Sequence, residues 1–245
     1  MQPFTDIDPI LARALRLFGQ RTAGVRPEYP FWRLQHDGLS EVAPSSVAAY
    51  VIRKGSGDPK KSSLIASGAK GGLAEMDYER LKSQPSLFSH VCHRILDNHF
   101  PLSLHEDVLN FFGIVIDHKV GKEEDNASFR TTVLNNYDYR CSVSGFQSNP
   151  EVQHVGIEPT ELIWRNHGGD TTASNAIAMT TLHRKLFHFG LFTITEDYKV
   201  KLSPLICCSD TVGLKDGRSI GLPSTSSAFP SLKALEWHQR WVFRG

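Results

Sequence analysis

Residues 117–128 read DHKVGKEEDNAS, a charged stretch nearly free of apolar side chains and long for a connection inside a compact domain. A chain interrupted in this way gathers its apolar residues into two cores, and its 245 residues supply enough material for both. The organisation this implies is a first domain over 1–116, a linker over 117–128 and a second domain over 129–245. Each half mixes helical and strand patterns, so the expected class is α+β.

In the first half, Asp8-Pro9 has the form of a helix start, with Ile10, Leu11, Ala14, Leu15 and Phe18 on one face and Gly19 as the stop. The segment YPFWRLQHDGLSEV reads as a β-hairpin whose strands, Phe31–Leu34 and Leu39–Val42, flank an Asp37-Gly38 turn. GSGDPKKSS (55–63) and GAKGG (68–72) read as loops. Helices follow over Asp77–Ser83, Pro85–Asn98 and His105–Phe112, with Leu87, Phe88, Val91, Ile95 and Leu96 forming the buried stripe of the middle one. In the second half a helix over Phe129–Tyr139 leads to Cys141, then to short strands near 153–157 and 161–164 and a Gly-Gly loop. A helix over Asn175–Phe187 comes next, with Ile177, Met179, Leu182 and Leu186 as its core positions. LFTIT and YKVKLS form a hairpin, and ALEWHQRWVF closes the chain as an amphipathic segment.

Composition narrows the function classes only where charge and length decide. The net charge of +1 gives no global attraction to nucleic acid, so any DNA contact rests on local basic surface. No run of about 18 apolar residues is present, which argues against a membrane-spanning helix. MQPFTDIDPI is acidic and lacks a signal-peptide layout, so the expected location is the cytoplasm. The four cysteines are then reduced thiols, and without a C-x-x-C pair no structural zinc site is expected.

Three segments of the second half, FRTTVLNNYDYRCSVSGF, HVGIEPTELIWRNHGGD and NAIAMTTLHRKLFHFGLFTI, resemble the HNH domain of phosphorothioated-DNA-binding restriction endonucleases. EYPFWRLQHDGLSEV, LDNHFPLSLHEDVL and the closing ALEWHQRWVF resemble motifs of the same family, in the same order. The resemblance implies an N-terminal domain that recognises sulfur-substituted DNA backbone and a C-terminal ββα-metal nuclease. Tyr29 and Pro30 match its sulfur cavity, with Arg33 beside them to hold phosphate charge; core packing is the competing role for Phe31 and Trp32. Family members carry an upstream helix with a basic R-x-P-H-K-P motif, so the first domain is expected to lack that helix.

An HNH site uses a strand histidine as general base, an asparagine that holds loop and strand in register, and a helix histidine that helps bind one divalent metal. Trp164, Gly168-Gly169, Asn175, Leu186-Phe187 and Gly190 match the family without gaps. In that frame the base position falls on Glu161 and the helix ligand on Arg184, while Asn175 is kept. A glutamate is a weak base at neutral pH, with an ordinary pKa of about 4.3. A guanidinium has no lone pair for a metal and stays charged. The expectation is a DNA-binding HNH homologue with impaired cleavage, in which Glu161 and Arg184 pair across the vacated site.

Two alternatives stand beside it. One is an active endonuclease using Mg²⁺, Mn²⁺, Co²⁺ or Ni²⁺, with Glu158 and His188 as metal ligands beside Glu161. The other is a non-enzymatic DNA-binding or regulatory protein with no cofactor. The partner in each case is DNA, including phosphorothioate-modified DNA, and cutting of two strands would favour a homodimer. His154 breaks the register and reads as an ordinary strand or loop residue.

Overall fold

The computed structural model describes residues 1–19, 24–43, 58–116, 127–147, 152 and 155–245. By packing, the chain divides into two compact units, Met1–Val91 and Cys92–Gly245. Most of the proposed 117–128 linker lies outside the described residues, as does His154.

The first unit is built on a three-stranded antiparallel sheet of very short strands, β1 (Gln2–Pro3), β2 (Glu41–Ala43) and β3 (Lys70–Gly72), with β3 in the middle. Helix α1 (Phe4–Phe18) follows β1 directly and ends at Gly19. It therefore starts before Asp8-Pro9: Pro9 lies inside it, and the Asp8 carboxylate pairs with Lys61 at 2.6 Å instead of capping.

The expected hairpin over 31–42 is not formed. Glu28–Arg33 is a helix, α2, and Gly38, at φ +71°, turns the chain from it towards β2. Phe31 and Trp32 supply the reason, because neighbours on a strand face opposite sides whereas on a helix they are about 100° apart. Both are buried in one core with Phe4, Leu64 and Ala69, where the Phe4 and Phe31 rings meet edge-on at 4.8 Å. Pro30 falls in the first turn of α2, where its missing N–H costs little.

Two expected loops are also structured. Lys61–Ala66 is helix α3, and the glycines of GAKGG form the central strand β3. A Cβ on Gly71 would stand 2.8 Å from the Phe31 ring, so the glycine lets the sheet close on that ring. Helices α4 (Glu75–Ser83) and α5 (Pro85–His99) follow as expected, although Ile95 is exposed.

The second unit contains α6 (His105–Phe112), which ends at the left-handed Gly113, and α7 (Ala127–Asn136). The expected helix over 175–187 is in fact a strand and a helix. Strand β4 (Ile157–Glu161) pairs antiparallel with β5 (Ala176–Thr180), and α8 (Thr181–His188) follows. Ala176, Ile177, Ala178 and Met179 are all buried, an unbroken apolar run that suits a covered strand. Thr180 then caps α8, its hydroxyl accepting from the His183 amide at 3.2 Å. Starting the helix at Thr181 leaves Leu182 half exposed, against its expected core role.

The hairpin of β6 (Phe192–Ile194) and β7 (Val200–Leu202) and the final helix α9 (Leu232–Trp241) complete the unit. Its core joins Val133, Leu134, Ile157, Leu162, Ile177, Met179, Phe187, Phe192 and Leu235. Among the described residues, no helix is long and apolar enough to cross a membrane.

Candidate functional site

The site grows from the loop that joins β4 to β5. Asn175 is buried at the end of that loop, and its side chain works as a clasp. Its Oδ1 accepts from the Ile163 amide at 2.9 Å, and its Nδ2 donates to the carbonyls of Ile163 at 3.1 Å and Asp170 at 2.9 Å. Gly168 holds φ +84°, and a Cβ on Gly169 would fall 2.0 Å from the Ile163 carbonyl oxygen. Gly169 and the asparagine thus depend on one another, because the loop folds close only without a side chain at 169, while Gly168 supplies the left-handed turn.

Glu158 and Glu161 sit three residues apart on β4, which directs them to opposite faces of the strand. Their ion pairs differ accordingly. Glu161 accepts from Arg165 Nε at 2.7 Å, four residues along the chain. Glu158 accepts from Arg184 Nη1 through one oxygen and from the Thr181 hydroxyl at 3.1 Å through the other. The expected Glu161–Arg184 pair is therefore corrected. Arg184 does find a carboxylate, but strand alternation places the Glu158 side chain in front of it.

His188 lies one turn beyond Arg184 on α8 and is 3% exposed. Its Nδ1 is 2.6 Å from the Ser103 hydroxyl, and the Glu161 backbone is a second hydrogen-bond partner of the ring. Burial, then the charge of Arg184 and the neighbouring His238, push its pKa well below the ordinary histidine range, opposed by the Glu161 backbone. The ring is neutral at physiological pH. Trp164 packs against it edge-on at 6.2 Å and against Trp237 at 5.9 Å, and Trp164 with Leu104 and Val242 forms a small apolar cluster. The segment before α6 thus covers this face of α8, and Lys185 adds an ion pair to Asp107 at 2.8 Å.

A divalent metal needs lone pairs from carboxylate, imidazole or water. Here one oxygen of Glu158 is held by a guanidinium, and a fixed positive charge stands one turn from His188. No group of three or more His, Cys, Asp or Glu among the described residues is arranged to hold a metal ion. The residues present do not fit the metal that an HNH arrangement implies.

Sequence reading missed one pairing in this unit. His183 is buried with Cys141, whose Sγ lies 3.4 Å from its Nδ1. His183 Nε2 donates to the Val212 carbonyl at 2.7 Å, which leaves Nδ1 to meet Cys141 and the Thr180 hydroxyl, 2.7 Å away. The Cys141 thiol sits at about 7: burial raises it, and the bonds from His183 and Ser144 lower it further than burial raises it. The pair is closed to solvent and fastens the start of α8 to the Cys141 turn. Neither residue's neighbours in sequence signal this, since they are 42 positions apart.

In the first unit, Tyr29 and Pro30 are half buried on α2. Two guanidinium groups flank the Tyr29 ring, Arg33 at 4.4 Å and Arg26 at 5.4 Å from its centroid. Arg33 also bonds to Asp58 through Nε at 3.1 Å and Nη2 at 2.5 Å. The ring holds both guanidinium groups by cation–π attraction, which places positive charge beside its apolar surface.

Residues 1–116 match the family model described as ScoMcrA-like, DNA sulfur-binding domain. The N-terminal part of the chain is similar to a DNA sulfur-binding domain. The match runs past Val91 through the segment that packs on α8 in the second unit. Among solved structures, a chain described as "Modification dependent TagI restriction endonuclease" matches at 20% identity with a TM-score of 0.35. That match covers 52% of this chain and 40% of that one, and a TM-score of 0.35 is too low to establish a shared fold. None of the curated proteins matches the chain.

Proposed function

We propose that the protein binds DNA carrying phosphorothioate linkages through residues 1–116 and acts in a restriction system, with strand cleavage impaired or lost. The observation that carries the binding half is the match of those residues to a DNA sulfur-binding domain. The flanked Tyr29 ring supplies the chemistry: Pro30 and Tyr29 offer apolar contact to sulfur, and Arg26 and Arg33 balance the phosphate charge.

The β4–loop–β5–α8 unit is read as an HNH scaffold. In support, Asn175 performs the clasp that such a site requires, and Gly169 leaves no room for a Cβ beside it. The impairment rests on Arg184, which stands at the helix-ligand position and engages Glu158. Glu161, at the base position, is engaged by Arg165.

The binding half is tested by filter retention of a duplex with one phosphorothioate linkage against the same duplex without it. Preferential retention of the sulfur duplex, weakened at least tenfold by Tyr29→Ala, is the expected result. Equal retention of the two duplexes would refute it.

A further inference from the structure

The loop between β7 and the turn at Ser209–Val212 carries Cys207 and Cys208 side by side, both free thiols and both exposed. Its two ends are anchored. Ile206 and Val212 pack against the core of the second unit, Leu214 is buried, and the Val212 carbonyl accepts from the buried His183 ring. Cys208 stands at φ +56°, a left-handed conformation that residues other than glycine adopt at a cost. Its carbonyl accepts from both the amide and the hydroxyl of Thr211, at 3.1 and 2.7 Å, and these bonds hold it there. The two thiols are thus displayed to solvent on a fixed backbone.

Adjacent Cα atoms lie about 3.8 Å apart across a trans peptide, short of the roughly 4.4–6.8 Å that a relaxed disulfide spans. Closing Cys207 on Cys208 is therefore strained, and the pair persists as two thiols. One atom inserted between the sulfurs lengthens the bridge and relieves that strain. We propose that Cys207 and Cys208 form a dithiol site for a trivalent, thiophilic metalloid, arsenic(III) presented as arsenite. Thiolate sulfur is a soft ligand and selects soft centres. Structural zinc and iron–sulfur clusters need about four protein ligands. Among the described residues, no group of three or more His, Cys, Asp or Glu is placed to hold a metal ion. Arsenic(III) is satisfied by two sulfurs and one retained hydroxide. In the exchange two S–As bonds form and two As–O bonds break. Each thiol proton leaves with a displaced hydroxide as water, and arsenic stays trivalent.

The test uses the full chain, reduced with a phosphine and freed of small dithiols. It is titrated with arsenite, then alkylated with iodoacetamide and mapped by peptide. Saturable protection of Cys207 and Cys208 together is expected, with one arsenic per chain in the intact mass and Cys92 reacting at its arsenite-free rate. Cys207→Ser and Cys208→Ser are each expected to weaken arsenite binding at least about a hundredfold, the scale gained by tethering two ligands. Cys92→Ser is expected to leave it unchanged. Both thiols of the pair are exposed, so serine at either position keeps the fold, checked by an unchanged circular-dichroism spectrum. Protection of one cysteine alone, no saturable binding, or binding unchanged in either serine variant overturns the proposal. So does a Cys207–Cys208 disulfide that forms in air within the time of the titration, since the pair would then not persist as a dithiol.

Discussion

The Arg184 guanidinium bonds to the Glu158 carboxylate, while Glu161 is held by Arg165. Two ion pairs therefore occupy the two faces of one strand. The more enclosed of them joins β4 to α8.

That junction has a measurable energy. Arg184→Ala leaves the partly buried Glu158 carboxylate without its cation, and a loss of about 1–3 kcal/mol is expected in urea unfolding. A double-mutant cycle with Glu158→Ala is expected to give a coupling of about 1–2 kcal/mol. The exposed Arg165–Glu161 pair is expected to couple by less than about 1 kcal/mol.

Asn175→Ala removes three hydrogen bonds at once and strands the Ile163 peptide group. A destabilisation of about 2–4 kcal/mol is expected. Hydrogen exchange gives the specific signature: the Ile163 amide should lose protection more than the amides of β6 and β7 do.

Glycine substitutions separate steric need from ordinary tolerance. Gly169→Ala places a methyl 2.0 Å from a backbone oxygen, so a loss above about 2 kcal/mol or failure to fold is expected. Gly24→Ala meets nothing within 4 Å among the described residues and is expected to change stability by less than about 0.5 kcal/mol.

Acid should weaken the second unit through buried histidines. His238 stacks on Phe187 at 3.5 Å, donates from Nε2 to the Phe187 carbonyl, and is held neutral by burial with a pKa of about 3. The unfolded ring protonates near its ordinary value of about 6.5. Between those values the unfolded state binds more protons, so stability falls as pH drops from about 6.5 towards 3. Each such ring contributes up to about 1.4 kcal/mol per pH unit, and His188 acts in the same direction. His238→Gln is expected to be less stable at pH 7 with a shallower acid slope; an unchanged slope in thermal melts would contradict the neutral assignment.

Much of the fold was legible where one local signal decided it. Gly19 ended α1, Pro85 opened α5, and LFTIT with YKVKLS paired as β6 and β7. The failures share a cause, because apolar runs of five or six residues do not distinguish strand from helix. The Ala176–Met179 run suits a helix as well as the strand it forms, with Thr180-Thr181 at the boundary, and Phe31-Trp32 suits a strand although both rings enter one core from a helix. For the site, register with the family motif singles out Glu161, Asn175 and Arg184, and of these Asn175 bonds to the loop at Ile163 and Asp170. Which carboxylate meets Arg184 did not follow. That depended on a strand boundary, since moving one residue along β4 exchanges its faces. Ser103 and Asp107 were beyond reach too, because contacts 85 and 78 positions along the chain leave no periodic trace.

A protein that holds sulfur-modified DNA without cutting it is tested most directly by incubating a phosphorothioate duplex with the full chain and Mn²⁺, then resolving the strands on a denaturing gel. Intact strands are expected at protein concentrations that fully retain the same duplex on a filter. Metal-dependent strand breaks that disappear in Asn175→Ala would contradict it.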